Sequence, residues 1–120
     1  MYHVTVDSGR RLIWLRATGF VNSAEYVRMD AELAAAAARL RKESNADFTM
    51  LFDLREAALL SKEQVDDFEE KMERSFENGV RKAAFVASTA LIKMQVSRTI
   101  SPSKSRLFES EEDALSWLAD

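Results

Sequence analysis

The chain has 120 residues, of which 47% are hydrophobic and 31% are charged, and its formal net charge is −3. This length and composition are ordinary for a globular protein and predict one domain over residues 1–120. The charge excludes a whole-protein field that recruits nucleic acid, and the lack of cysteine excludes disulfides and thiolate metal sites.

The chain shows no pattern of a targeting or membrane-spanning segment. Its first residues have no basic stretch followed by an apolar one, so we expect no signal peptide. No apolar run approaches the roughly 18 residues of a spanning helix, so we expect no stable membrane insertion. Both observations favour a cytoplasmic location.

The N-terminal segment predicts a β-hairpin. Residues 2–6, YHVTV, alternate between apolar and polar side chains as a strand does, and residues 11–21 predict a second, antiparallel strand. Gly9, in the connecting DSGR, is expected to supply the freedom in φ that a tight turn needs.

A long helix is predicted over residues 23–42. Asn22 precedes it and Glu25 follows three residues later, which is a variant of the capping box. Apolar residues recur along it at spacings of three or four and form one stripe. These residues are Tyr26, Met29, Leu33, Ala37 and Leu40.

Two buried strands and a second long helix follow. Residues 46–54 and 82–88 are short apolar runs, as in strands that are covered on both faces. Between them, Ser61 and Gln64 have the spacing of a capping box that starts a helix, and Asn78-Gly79 is the expected stop.

The last third of the chain predicts a helix over residues 89–100, ended by Pro102, then a short strand, SRLF, and a final helix capped by Ser110. The order ββαβαβαβα predicts an α/β fold. We expect a mixed sheet of four or five strands, the later ones parallel, with about four helices. Core aromatic residues are expected to be Trp14, Phe48, Phe52, Phe85 and Trp117.

The hairpin, the strands FTMLFDL and KAAFVAS and the ending RLFESEEDALSWL together resemble SpoIIAA-like proteins, which are related to the STAS domains of anti-anti-sigma factors. The resemblance covers nearly the whole chain. It implies a small, single-domain α/β sandwich and a non-enzymatic role in regulation or protein interaction. In anti-anti-sigma STAS domains, a D-S-S/T-G motif after the central strand carries a serine or threonine that a partner kinase phosphorylates.

Ser61 occupies the corresponding place, in LLSKEQ, but the Asp and the Gly of that motif are missing. Ser61 is therefore a candidate phosphosite and also a candidate N-cap. The spacing to Gln64, together with the acids nearby (Glu63, Asp66 and Asp67), favours the N-cap.

Two further candidate sites lie near predicted strand ends. Asp53 and Arg55 follow an apolar run at the carboxyl end of a parallel strand, where open α/β sheets bind ligands. They could hold a polar ligand, or they could pair with a neighbouring loop or helix. Ser88 and Thr89 at a helix start, with Lys93 one turn on, could bind a small anion or simply belong to a solvated face.

No catalytic, metal-binding or cofactor motif is present, and His3 is the only histidine. We therefore favour a regulatory or protein-interaction module, with no cofactor, over an enzyme. The alternative is a carrier of a small apolar ligand or lipid, because folds of this superfamily also resemble CRAL-TRIO lipid-binding modules. A homodimer is expected through residues 89–100, which are apolar round much of their helix.

Overall fold

The computed structural model describes residues 1–101 and 103–120 and shows one mixed sheet of five strands with four helices there. In chain order the elements are β1 (Tyr2–Asp7), β2 (Leu12–Gly19), α1 (Ser23–Glu43), β3 (Phe48–Ala57), α2 (Lys62–Glu77), β4 (Val80–Val86), α3 (Ala90–Ser97), β5 (Ser105–Phe108) and α4 (Glu111–Ala119). The predicted α/β class and the order ββαβαβαβα are confirmed.

The strands lie in the sheet in chain order, β1-β2-β3-β4-β5. β1 pairs with β2 in antiparallel fashion, and the other three pairs are parallel. Right-handed crossovers in one direction put α1, α2 and α3 on the same face. The chain reverses after β5, and α4 packs on the opposite face against β3, β4 and β5. The loops that follow β2 to β5 share one edge, which we call the carboxyl edge.

Two hydrophobic cores lie on the two faces of the sheet. The larger core, beneath α1, α2 and α3, contains the rings of Phe52, Phe68 and Phe85, whose centroids lie 5.0 to 6.1 Å apart. The smaller core, beneath α4, contains Leu51 and Leu118. Because successive side chains of a strand point to opposite faces, the apolar run of β3 supplies both cores.

The expected core aromatics divide into two groups. Phe48, Phe52 and Phe85 are buried, as predicted. Trp14 and Trp117 are only half-buried and lie at the margin of the smaller core. Trp14 of β2 is partly exposed because α4 covers β3, β4 and β5 but leaves the same face of β1 and β2 largely open, whereas Trp117 lies beside Phe108 of the edge strand β5.

The turn between β1 and β2 differs from the prediction. Arg11 has the left-handed backbone, with a φ of 49°, whereas the φ of Gly9 lies outside that region. The Arg11 guanidinium donates hydrogen bonds to the carbonyl oxygens of Leu40 and Ser44 at the end of α1 and to that of Asp47 before β3. A cation at the C-terminal end of a helix also suits its dipole. These bonds compensate for the strained backbone of Arg11.

The predicted N-caps are present. The side chains of Asn22, Ser61 and Ser110 each accept a hydrogen bond from the backbone N–H three residues later. At Ser61 the capping box is complete, because the side chain of Gln64 accepts a hydrogen bond from the Ser61 N–H at 3.1 Å. At Asn22 it is not, because the carboxylate of Glu25 pairs with the N-terminal ammonium group.

Three predicted boundaries are wrong. β3 continues to Ala57, three residues further than expected, because β2 pairs with it up to that residue. β4 begins and ends two residues earlier than expected. α3 ends at Ser97, before the predicted stop. The predicted role of Pro102 lies outside the described residues.

Candidate functional site

Asp53 is a buried carboxylate near the carboxyl edge, with a residue exposure of 3%. Arg55 donates from Nε to Oδ1 at 2.9 Å and from Nη2 to Oδ2 at 2.7 Å. Arg16 of β2 donates from Nε to Oδ2 at 3.1 Å. Arg55 also reaches Glu111, the first residue of α4, at 3.3 Å. We call these four residues the Asp53 cluster.

Asp53 and Arg55 both lie within β3, whereas the sequence predicts them at the carboxyl end of that strand. Asp53 pairs with Arg16 on β2 and with Val86, the last residue of β4. β3 therefore projects beyond β4, and the cluster lies beside the end of the shorter strand. The Arg55 side chain contacts both Asp53 and Glu111 of α4, so the side chains of Asp53 and Arg55 share the face of the sheet on which α4 packs.

The cluster is a set of fixed charges. Burial is the largest single influence on the pKa of Asp53, and it raises that pKa. The hydrogen bonds and charge of Arg55, together with the charge of Arg16, lower the pKa by more than burial raises it. The net result is a pKa of Asp53 below its ordinary value. Its hydrogen bonds raise the pKa of Arg55. An ionised carboxylate between two guanidiniums holds no proton to donate at neutral pH, so its chemistry is to orient the arginines.

The three residues of the predicted anion site, Ser88, Thr89 and Lys93, each contact a different group of the protein. Ser88 Oγ donates to the backbone oxygen of Arg55 at 3.4 Å, which brings the β4–α3 loop beside the Asp53 cluster. Thr89 caps α3, and its Oγ1 accepts a hydrogen bond from a backbone N–H of the first turn. Lys93 pairs with the carboxylate of Glu109. An anion site at Ser88, Thr89 and Lys93 stays a prediction.

Ser61 lies exposed at the carboxyl edge as the N-cap of α2. Its hydroxyl accepts a hydrogen bond from the Gln64 N–H at 3.1 Å. The Gln64 side chain also donates to the backbone oxygen of Val21 at 3.2 Å, so this capping box ties α2 to the β2–α1 loop. The structure gives Ser61 a capping role, and its role as a phosphosite stays a prediction.

An exposed apolar surface also lies at the carboxyl edge. Four large side chains there, which we call the edge patch, are exposed by 44% to 65%: Phe20, Leu59, Leu91 and Met94. Leu91 and Met94 belong to the predicted surface over residues 89–100, whose Ile92 and Val96 are instead buried. Sequence reasoning missed Phe20 and Leu59. Leu59 is a large apolar residue in a predicted loop, which was a usable signal, whereas Phe20 falls inside the predicted second strand and only the structure ends β2 before it.

Hydrogen bonds hold the three segments of the edge patch together. The Ala58 N–H donates to the backbone oxygen of Gly19 at 2.9 Å, which joins the loops that carry Phe20 and Leu59. The Gln95 side chain bonds to both the N–H and the oxygen of Leu60, at 3.0 and 2.8 Å, which joins the second loop to α3. The four side chains of the edge patch are therefore carried by three segments that hydrogen bonds link.

A cavity and a groove lie on the face of the sheet that α1, α2 and α3 cover. An apolar cavity of about 60 Å³ lies behind the β3–α2 loop, and its lining includes Leu60 and Phe68. An open groove of about 550 Å³ lies between α1 and α2. The ion pair of Lys71 with Asp30, at 2.9 Å, links the two helices across this groove.

The part of the chain that the structure describes contains neither a cluster of metal ligands nor a helix that could cross a membrane. Within residues 1–101 and 103–120, no group of three or more His, Cys, Asp or Glu side chains could hold a metal ion. No helix in those ranges has the length and apolar character to cross a bilayer.

A mixed five-stranded sheet with α1 to α3 on one face and α4 on the other defines a small α/β protein of the SpoIIAA-like fold. The chain belongs to the SpoIIAA-like family, whose model matches residues 12–119. This membership agrees with the resemblance that the strands and the C-terminal ending indicate.

Two solved structures show the same fold. An uncharacterised protein with a SpoIIAA-like fold from Shewanella loihica PV-4 is 20% identical, with a TM-score of 0.68 over 98% of this chain and 93% of the other. The anti-sigma factor antagonist SpoIIAA in its unphosphorylated form is 10% identical, with a TM-score of 0.66 over 98% and 96%. Comparison with curated proteins gives no match.

Proposed function

We propose that this protein is a non-enzymatic regulatory module that binds a partner protein through the edge patch. The observation that carries the proposal is the concentration of Phe20, Leu59, Leu91 and Met94 at one edge of the sheet, on segments joined by hydrogen bonds. Contiguous exposed apolar side chains on a small protein mark surfaces that a partner covers.

The energetics of such a surface suit protein binding. Complete burial of a Leu, Met or Phe side chain contributes about 1.5–3 kcal/mol. Interface energy is concentrated in a few such anchors surrounded by a polar rim. The Asp53 cluster and Ser61 supply polar groups at the same edge.

The family supports this choice. One structural neighbour is by name an anti-sigma factor antagonist, a protein that acts through another protein. The Asp53 carboxylate, the one buried acid within residues 1–101 and 103–120, is fixed between two arginines. The same edge patch could also bind a second copy of the chain, and the homodimer expected through residues 89–100 stays a prediction.

The ligand-carrier alternative has less support. Binding pockets for small molecules usually measure about 300–1,000 Å³. The apolar cavity, at about 60 Å³, is too small for a lipid chain. The larger groove between α1 and α2 is open to solvent, and charged side chains such as Arg41, Lys71 and Arg74 lie along it.

Site-specific photo-crosslinking in the cells that produce the protein tests the proposal. A photoreactive amino acid replaces Leu91 of the edge patch in one variant and Ala38, which is exposed on α1, in a matched control. We expect the Leu91 variant to form one discrete adduct, either with another protein or with a second copy, and the Ala38 variant to form none.

The adduct must also depend on the rest of the edge patch. The double substitution Leu59→Gln and Met94→Gln should reduce its yield at least about tenfold, which is the effect of losing about 1.4 kcal/mol of binding free energy. Equal labelling from Leu91 and Ala38, or an adduct that survives the double substitution, would contradict the proposal. Lipid that co-purifies and is released on denaturation would favour the carrier.

A further inference from the structure

We propose that Arg16 and Arg55 form a receptor for carboxylate side chains of the partner protein. This inference rests on the proposed function and gives the chemistry of the partner's surface. The observation behind it is a pair of half-exposed guanidiniums held in place by one buried carboxylate, on the face of the sheet where α4 leaves β1 and β2 largely open.

Asp53 fixes the direction of both arginines. Its side chain is 4% exposed, and its two oxygens accept hydrogen bonds from the Nε atoms of both arginines and from Nη2 of Arg55. Two guanidiniums this close would repel each other without it. An arginine held in this way loses less conformational entropy when it binds an anion, because part of that loss has already occurred in the folded protein.

The arginines keep hydrogen-bond donors for a ligand. Within residues 1–101 and 103–120, the two terminal nitrogens of Arg16 and Nη1 of Arg55 donate no hydrogen bond to the protein. The Arg16 side chain is 51% exposed and that of Arg55 is 35% exposed. Guanidinium groups with free N–H pairs bind carboxylates in a bidentate geometry.

The two arginines of the receptor lie close in the chain to two residues of the edge patch. Arg16 lies near the end of β2, four residues before Phe20, and Arg55 lies near the end of the adjacent β3, four residues before Leu59. Four residues of chain span at most about 14 Å. A partner that covers the edge patch with an apolar side chain can therefore reach the two arginines with an acidic one.

The charges of the cluster favour a carboxylate over a phosphate. Arg16 and Arg55 contribute two positive charges, and Asp53 and Glu111 contribute two negative ones, so the cluster is neutral overall. A phosphate dianion would place two charges close to both acids. A single carboxylate meets less repulsion, and it can engage Arg16, which Glu111 does not contact.

Nuclear magnetic resonance of the arginine Nε–H groups tests the inference. Both Nε–H groups donate to Asp53, so slow exchange with solvent should make their signals observable. The probes are an acetylated, amidated Leu-Glu-Glu-Leu peptide, the same peptide with glutamines, and inorganic phosphate at equal ionic strength. We expect saturable shifts of the Arg16 and Arg55 signals with the Glu peptide alone.

Two variants locate the binding. Arg16→Gln should weaken binding of the Glu peptide at least about fivefold, the loss of roughly 1 kcal/mol. Arg39→Gln should leave the peptide affinity unchanged, because Arg39 is an exposed arginine on α1 whose ion pair is with Glu43 of the same helix.

Each other outcome overturns the inference. Saturation by phosphate without saturation by the Glu peptide would show that the site takes a different anion. Equal shifts with the Gln peptide, or none with any probe, would show that no carboxylate receptor exists. The proposed function fails separately, because an adduct from Leu91 with no Nε–H shift removes only this inference, whereas a shift with no adduct removes only the edge-patch proposal.

Discussion

The side-chain amide of Gln95 pairs with both backbone polar groups of Leu60. The Leu60 N–H donates to Oε1 at 3.0 Å, and Nε2 donates to the Leu60 oxygen at 2.8 Å. A side chain of α3 thereby gives the β3–α2 loop the pair of hydrogen bonds that a neighbouring strand would give. This pairing fixes the loop that carries Leu59, so the shape of the edge patch depends on one amide.

The first prediction concerns that amide. Gln95→Leu should lower the free energy of unfolding by about 1–3 kcal/mol, because it leaves two backbone groups of Leu60 without partners in a half-buried position. Urea unfolding measures the loss, and hydrogen exchange should show faster opening at residues 58–61. As a control on the same helix, Met94→Ala should change stability by less than about 0.5 kcal/mol. Unchanged exchange at residues 58–61 would show that Gln95 does not hold the loop.

The second prediction concerns the pH dependence of stability through Asp53. The pKa of Asp53 is lower in the folded protein than its ordinary value of about 3.9. Its carboxylate therefore stabilises the fold fully above about pH 4, and this contribution is lost as the pH falls through the lowered pKa. Asp53→Asn should cost about 1–3 kcal/mol at pH 7, discounted because both arginines are partly exposed.

Urea unfolding from pH 7 to pH 2.5 checks the second prediction. The difference in stability between the wild-type protein and Asp53→Asn should shrink below about pH 4, since protonated Asp53 resembles the amide. As a control, Asp113→Asn alters an exposed acid of α4 outside the cluster. A difference that stays constant over the whole pH range would show that Asp53 is not the titrating group.

The third prediction separates the capping role of Ser61 from a charge effect. Ser61→Ala should cost about 1 kcal/mol, because the cap to the Gln64 N–H is lost. Ser61→Asp should keep stability close to wild type, because aspartate is as good an N-cap and its charge suits the helix start. Thermal and urea denaturation measure both variants.

A double-mutant cycle with Gln64→Ala completes the third prediction. The two substitutions should cost less together than the sum of their separate costs, because each removes half of the same capping box. Additive costs would show that the two hydrogen bonds act independently. A Ser61→Asp variant as unstable as Ser61→Ala would contradict the capping assignment.

The fourth prediction concerns Arg11, which combines a φ of 49° with hydrogen bonds to the C-terminal end of α1. Arg11→Ala keeps the strained backbone and removes the bonds, so it should cost about 2–3 kcal/mol. Arg11→Gly removes the bonds but relieves the strain, so it should be about 1 kcal/mol more stable than the alanine variant. Urea unfolding measures the two variants together. An alanine variant that equals or exceeds the glycine variant in stability would contradict a left-handed Arg11.

The sequence predicts much of the fold because the signals are local. The N-caps at Asn22, Ser61 and Ser110 are correct, since each cap bonds to a backbone group three residues away. The alternation of strand and helix patterns gives the α/β class and the element order. Boundaries fail where a neighbour decides them, as at Ala57, where pairing with β2 extends β3.

The candidate site is less predictable. Asp53 and Arg55 could be singled out because they follow an apolar run, but Arg16 could not, since it lies 37 residues before Asp53 and only strand register joins them. The prediction that Gly9 supplies the left-handed backbone of the turn is wrong. Arg11 supplies it instead, and the carbonyl oxygens whose hydrogen bonds compensate for its backbone strain lie 29 to 36 residues away in the chain.

The sequence by itself determined which side chains share a face within each element, because strand and helix periods depend only on local backbone geometry. Only the tertiary structure decided what lies opposite those faces. It joins Arg16 to Asp53 across two strands, and it leaves Phe20 and Leu91 exposed at one edge while burying Ile92 beside them. The reason is physical: exposure and pairing depend on contacts between distant segments, and no local period encodes those contacts.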